Sequence, residues 1–244
     1  MIGTFLEFGF SAQPLGEAFE FYRGLGFQSV PIGDILDYPY AVVSDGDICI
    51  GLHERNLGGP SLTFVRPDLS AYSRALRRRP IELEFAHLTE DEFNEVAFRD
   101  PNGQLVTLME ARTFSPGSWE GHGHSACGEF LEFSLPTASM SDSESYWQSF
   151  GFTTVGQDDK PHPWIRLSGH GVSLGFHQTS HFASGMTYKA STLGPRLEYM
   201  RAKGFDPLHG SPMEEPNAES ATLIGPGGMP IYLLDGGVVA AGTD

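Results

Sequence analysis

The stretch Thr4–Ala12, TFLEFGFSA, returns as Glu129–Thr137, EFLEFSLPT, and most of the chain returns with it. Phe21–Tyr22 and Leu25–Gly26–Phe27 reappear as Tyr146–Trp147 and Phe150–Gly151–Phe152, and Gly51–Leu52–His53 reappears as Gly175–Phe176–His177. The offset is 125 residues at both ends of the repeat and 124 between Gly51 and Gly175. Solenoid units run roughly 20–50 residues, so a repeat of this length is a duplicated domain. The expected division is residues 1–113, a connector at 114–128 rich in Pro, Ser and Gly, and residues 129–244.

Within the first copy, β-type residues open the chain, with Phe5, Glu7 and Gly9 expected on one face and Leu6, Phe8 and Phe10 on the other. Leu15, Phe19 and Tyr22 share a helical stripe closed by Gly24 and Gly26, and Asp142–Phe150 is its counterpart. Short strands follow at Gln28–Ile32, Tyr40–Val43 and Ile48–His53, the last two joined by hairpin chemistry at Ser44–Asp47. The same β-α-β-β-β grammar recurs with a strand at Leu62–Arg66, a helix at Leu69–Arg78, an extended Pro80–Glu90, and strands at Glu95–Arg99 and Gln104–Glu110. The chain therefore reads as an α+β protein of βαβββ units in two pairs, long enough at 244 residues to bury a sizeable core.

Fifteen basic against 31 acidic residues give a formal charge of −16, which repels nucleic-acid phosphates and anionic membrane surfaces. Arg77–Arg78–Arg79, with Arg201–Ala202–Lys203 as its counterpart, reads as a solvated helix end. There is no charged-then-apolar leader and no apolar run of the roughly 18 residues that a membrane span needs. Cys49 and Cys127 form no CxxC pair, so a reducing, cytoplasmic setting is expected, with the protein a monomer or homodimer. No phosphate loop and no GxSxG elbow is present, which argues against nucleotide hydrolysis and serine acyl transfer.

The FLEFGF strand, the helix exit at Phe21–Phe27, the Leu62–Asp68 strand running into a helix, and the Asp100–Pro101–Asn102–Gly103 turn before Leu108 resemble the vicinal oxygen chelate superfamily. That group contains glyoxalases, fosfomycin-resistance thiol transferases, extradiol dioxygenases and bleomycin-binding resistance proteins. The resemblance covers almost the whole chain, twice, and implies tandem glyoxalase-like domains whose sheets curl, barrel-like, around a cavity with helices outside. It also implies a divalent-metal site on the first and last strands of the units. Carried over, the ligand positions fall on Glu7 and Glu132, near Gly51 and Gly175, on Leu62 and Met186, and on Thr107 and Tyr232. His53 and His177 lie two residues beyond the glycines, and Glu110 and Asp235 lie three beyond the last positions, where an odd step turns a side chain to the other face, so these two read as solvated charges at a strand end.

One glutamate and one histidine thus survive in each copy. Glu7, His53, Glu132 and His177 could together hold a divalent metal if the cavity is shared between copies; otherwise no cofactor is expected. Each glutamate, set among Phe residues, needs a partner: a histidine, Arg66 or Arg166, or a cation of the ligand. The connector's His122–Gly123–His124 has no further ligand nearby in sequence. Phe5, Phe64, Phe130, Trp164, Tyr188 and Tyr232 are the expected aromatic walls of the pocket. Two readings follow. One is a metal-free small-molecule-binding protein for an aromatic or apolar ligand; the other is a metal-dependent lyase, isomerase or dioxygenase with a divergent Glu/His site.

Overall fold

Alternation, turn residues and helical stripes translate into the same element order in both copies. The structure, a computed structural model, describes residues 1–32, 37–89, 94–111, 125–179, 182–215 and 218–236. The first copy runs β1 (Thr4–Ser11), α1 (Leu15–Gly24), β2 (Gln28–Val30), β3 (Tyr40–Ser44), β4 (Cys49–His53), β5 (Ser61–Arg66), α2 (Leu69–Leu76), β6 (Leu83–His87), β7 (Glu95–Arg99) and β8 (Leu105–Glu110). The second runs β9 (Glu129–Pro136), α3 (Met140–Gln148), β10 (Thr153–Asp158), β11 (Trp164–Gly169), β12 (Val172–His177), β13 (Gly185–Ala190), α4 (Leu193–Ala202), β14 (Leu208–His209), β15 (Ser220–Ile224) and β16 (Pro230–Asp235).

Each copy builds its own eight-stranded sheet, ordered β2-β3-β4-β1-β5-β8-β7-β6 and β10-β11-β12-β9-β13-β16-β15-β14. The two βαβββ units of a copy meet where β1 pairs antiparallel with β5, and β9 with β13. No helix among the described residues is long and apolar enough to cross a membrane.

One irregularity governs which residues face where. Phe5 pairs with Phe64 and Glu7 with Thr63, which leaves Leu6 as an extra residue in β1. The second copy repeats it, with Phe130 against Tyr188 and Glu132 against Thr187, leaving Leu131 extra. A bulge of this kind reverses the alternation. Phe5 consequently shares a face with Phe8 and Phe10 rather than with Glu7, contrary to the strict period-2 expectation.

That apolar face is where the copies meet. Phe8 stacks on Phe133 at 4.9 Å and tilts against Phe130 at 5.5 Å, and Phe64 meets Phe152 edge-on at 6.4 Å. One continuous core spans both copies. Polar locks reinforce it: the Tyr188 hydroxyl donates to buried Asp45 Oδ2 at 2.7 Å, and Trp147 Nε1 donates to Asp100 Oδ2 at 3.2 Å. Burial raises the pKa of both Asp45 and Asp100 against the lowering effect of the bonds they accept. Arg79, exposed at its helix end as expected, also lies over the Phe150 ring at 4.9 Å and donates to Ser149 Oγ of the other copy at 3.2 Å.

Glu110 and Asp235 also depart from expectation. Glu110 Oε1 accepts the Leu69 backbone N–H at 3.1 Å, and Asp235 Oδ1 accepts that of Leu193 at 3.3 Å. Each carboxylate therefore satisfies an orphan donor at the start of α2 or α4 from the far end of the neighbouring strand, complementing the helix dipole. They are caps rather than free solvated charges.

Tyr22 occupies in the first copy the place of Trp147 in the second, 125 residues on, and Gly225 occupies that of Asp100. A Cβ at Gly225 would lie 3.6 Å from the Tyr22 hydroxyl oxygen, so the missing aspartate is the missing acceptor. Among the described residues the buried Tyr22 hydroxyl has no partner. An unsatisfied buried hydroxyl costs about 1 kcal/mol or more. Tyr22→Phe should therefore raise the melting temperature and Trp147→Phe lower it in thermal denaturation; a drop for Tyr22→Phe would mean that the hydroxyl is bonded after all.

Candidate functional site

On the concave face of the first sheet, Glu7, Thr63 and Thr107 form one row across β1, β5 and β8. Glu132, Thr187 and Tyr232 form the matching row in the second. Leu62 and Met186, the positions expected in that row, are fully buried one residue away on the core side. The bulge shifts the register by that one residue.

Glu7 is 3% exposed, and its carboxylate lies against the backbone of Gly51. A Cβ at Gly51 would collide with Glu7, and one at Gly175 would collide with Glu132. These glycines supply no ligand because they supply the space for the glutamate. Gly9 does the same for His53, whose Nε2 sits 3.2 Å from where a Cβ would be.

Both glutamates face their histidine, and both histidines are held from behind at equivalent positions. His53 Nδ1 is bonded to the Tyr38 hydroxyl at 2.9 Å, and His177 Nδ1 to His162 Nε2 at 2.9 Å. Burial pushes the Tyr38 phenol up to about 12, so it stays protonated at neutral pH. Burial and the neighbouring His177 lower the pKa of His162.

From there the copies diverge. Glu132 accepts from Ser134 Oγ at 2.8 Å and from Arg166 Nε at 2.5 Å, and its Oε1 lies 2.6 Å from His177 Nε2. Burial would raise its pKa, but the His177 hydrogen bond, the His177 charge and the Arg166 guanidinium together hold it below the usual carboxylate range. Glu7 accepts a short hydrogen bond from the Tyr40 hydroxyl, and its Oε1 lies 3.4 Å from His53 Nε2. Burial, then the charge of Glu7, raise the Tyr40 pKa strongly, so Tyr40 acts as a neutral donor. Val42 stands opposite Gly51 where Arg166 stands opposite Gly175, so the first copy has no guanidinium at that position.

The space above the two pairs differs as well. Over Glu132 and His177 an apolar cluster of Met213, Tyr232 and Leu234 packs with Leu131 and Phe182, and the Phe182 ring meets His177 at 5.3 Å. The first copy has Gly58 and Thr107 in place of Phe182 and Tyr232. Over Glu7 and His53 there is instead a cavity of about 520 Å³, walled by residues between Leu6 and Met109 and so formed within one copy. Tyr38, Tyr40, Phe85 and His87 give it ring surfaces, and Arg55, Ser61, Thr63 and Thr107 give it polar ones. At the outer wall Arg99 Nε pairs with Glu84 at 3.0 Å and His87 Nδ1 with Glu95 at 3.3 Å.

Of the residues singled out from sequence, Glu7 with His53 and Glu132 with His177 are brought together. Phe5, Phe64, Phe130 and Tyr188 are not cavity walls; the bulge turns Phe5 and Phe130 into the core, where they meet Phe64 and Tyr188 of the partner strands as edge-on pairs at 5.5 and 5.6 Å. Trp164 lies beside His177 at 6.4 Å, and Tyr232 belongs to the cluster that fills the second copy. Arg66 is spent elsewhere, on Asp68 at 2.8 Å and over the Tyr72 ring at 3.5 Å. Tyr38, Tyr40, Leu6 and Ser134 were not singled out. The signal for the first two was available in the 124-residue offset, which pairs Tyr38 with His162 and Tyr40 with Trp164.

The metal chelate implied by the resemblance asks for three protein ligands with open positions for substrate. Among the described residues no group of three or more His, Cys, Asp or Glu side chains converges, so the two Glu/His pairs do not pool into a four-ligand site. His122 and His124 lie outside the described residues. One carboxylate and one imidazole per copy, with a guanidinium already on the second carboxylate, do not fit that chelate.

Glu132 yields a direct test. A carboxylate whose folded pKa lies below its ordinary 4.5 contributes stability above that pH and loses it as pH falls through the folded pKa. Glu132→Gln should therefore flatten the acid limb of stability below pH 4.5, measured by urea denaturation across pH. Arg166→Ala, which strands the buried carboxylate, should cost about 3 kcal/mol at neutral pH. A neutral-pH stability unchanged in Arg166→Ala would contradict the pairing.

No family model and no curated protein matches the chain. Solved structures do. The 2,3-dioxygenase LapB from Pseudomonas sp. KL28 aligns over 97% of this chain and 94% of its own, at TM-score 0.63 and 14% identity. An extradiol ring-cleaving dioxygenase from B. fuscum aligns over 96% of this chain and 71% of its own, at TM-score 0.65 and 11% identity. The Mn(II)-bound glyoxalase from Novosphingobium aromaticivorans aligns over 96% and 82%, at TM-score 0.58 and 12% identity. With its tandem βαβββ pairs and two eight-stranded sheets, this chain shares the fold of these dioxygenases and of this glyoxalase, in keeping with the fold that the sequence resemblance implies.

Proposed function

We propose that this chain is a small-molecule-binding protein that uses the fold without its metal chelate, and that its ligand enters the first copy. The observation that carries this reading is the asymmetry between two otherwise matched sites. Val42, Gly58 and Thr107 leave a cavity of about 520 Å³ over Glu7 and His53, whereas Arg166, Phe182 and Tyr232 stand at the same positions in the second copy. That volume suits a small organic molecule. Its lining is more polar than the aromatic walls expected from sequence, so the ligand combines ring or aliphatic surface for Tyr38, Tyr40 and Leu57 with polar groups for Glu7 and His53. Two unpaired thiols, Cys49 and Cys127, and an acidic surface support a cytoplasmic setting, with a small molecule rather than a nucleic acid as partner.

A second reading, a divalent-metal-dependent enzyme, is favoured by the activities named for the structural neighbours, dioxygenases and a Mn(II)-bound glyoxalase. The row Glu7–Thr63–Thr107 weighs against it, because two of its three members are hydroxyls.

Melting curves of chelator-treated protein against a library of small polar and aromatic compounds separate the readings. Ligands should raise the melting temperature by mass action without added metal, and Glu7→Gln should abolish the shift. Shifts that occur only after adding Mn(II) or Fe(II), together with near-stoichiometric metal in protein purified without chelator, would overturn the metal-free reading.

A further inference from the structure

The duplication supplies an internal template for what the open site takes. In the second copy the glutamate facing a histidine is completed by a guanidinium: Arg166 Nε sits 2.5 Å from Glu132 Oε2, and its Cζ lies 5.2 Å from the centre of the Trp164 ring. The first copy preserves the glutamate, the glycine beneath it, the histidine, and an aromatic residue, Tyr40, at the Trp164 position. It lacks the cation, because position 42 is valine. It also lacks the Ser134 hydroxyl, because Gly9 stands at that position, and the histidine is 3.4 Å away rather than 2.6 Å. Glu7 is thus nearly as deeply buried as Glu132 but has the Tyr40 hydroxyl and a more distant histidine in place of a guanidinium, and a buried carboxylate is costly unless something completes it.

The rest of the wall leaves that charge available. Glu84 with Arg99 and Glu95 with His87 pair with each other, and the Arg55 guanidinium lies over the Tyr38 ring at 4.4 Å. A net charge of −16 on the chain draws cations toward it from solution.

We infer that the ligand of the first cavity carries an N–H-donating organic cation, an amidinium, guanidinium or primary ammonium group, which Glu7 receives as Glu132 receives Arg166. This rests on the first cavity being the binding site. An aromatic or aliphatic body attached to that cation fills the remaining volume against Tyr40 and Leu57, both of which line the cavity.

Isothermal titration with matched pairs tests it: benzamidinium against neutral benzamide, and methylguanidinium against N-methylurea, on chelator-treated protein. The cations should bind at least about tenfold more tightly than their neutral isosteres, a difference of about 1.4 kcal/mol. Glu7→Gln should erase that preference. Val42→Arg, which rebuilds the second copy's arrangement in the first, should abolish cation binding while the melting temperature holds or rises. This variant keeps the test decisive even if Glu7→Gln folds poorly. Equal affinity for cations and isosteres, or cation binding that survives Val42→Arg, would overturn the inference while leaving a binding role for the cavity intact. Absence of any binding by either set, with no shift across the broader library, would sink both.

Discussion

A carboxylate buried in a β-sheet is the constraint around which each half of this protein is organised. Glu7 and Glu132 are 3% and 1% exposed. Charges at such depth are tolerated only with close partners. The local sequence is arranged for that purpose. Alternation with the core phenylalanine after it sets the glutamate on the concave face, a bulge before it turns the first aromatic away to the core, a glycine on the neighbouring strand makes room for its carboxylate, and a histidine two residues on faces its oxygen. Without the glycine the carboxylate has no seat; without the bulge Phe5 would share the glutamate's face instead of joining Phe8 in the core. The conformation of the first strand, the composition of the fourth and the placement of the histidine all follow from one buried acid.

The same bulge decides what holds the two copies together. By reversing the alternation it moves Phe5 and Phe130 to the shared core, where they meet Phe64 and Tyr188 of the unbulged partner strands and pack with Phe8 and Phe133. Scaffold and site are therefore coupled: one strand carries the glutamate on its concave face and, through the bulge beside it, an aromatic of the interface on the other. Duplication then permits divergence. With one copy plugged by its own arginine and aromatic side chains, stability can rest there, leaving the other free to keep a cavity.

Much of this was legible in the sequence. The repeat announced the two copies, the helical stripes and turn residues placed the elements within a residue or two, and the recurrence of Glu7 and His53 as Glu132 and His177 marked the residues that do converge. What was not legible has a common physical origin. A bulge is set by backbone geometry rather than by any residue type in FLEFGF, so strict alternation puts Phe5 on the wrong face, and the positions carried over by resemblance fall on Leu62 and Met186 instead of Thr63 and Thr187. Cross-strand bonds carry no local signature either, which is why Glu110 and Asp235 read as solvated charges rather than as caps for distant helices. Position 42 against position 166 was visible as a substitution, but its meaning needed the register that sets both opposite the glycines.

The central claim is that two sites of common origin now differ in occupancy, one closed by the chain itself and one open to a ligand. Binding stoichiometry measures this most directly. Calorimetric titration of the full chain with benzamidinium should give one ligand per chain, and Arg166→Ala should restore at least part of a second site. Two equivalents bound by the unaltered chain would contradict the account, because Arg166 and Phe182 would then not be closing the second copy.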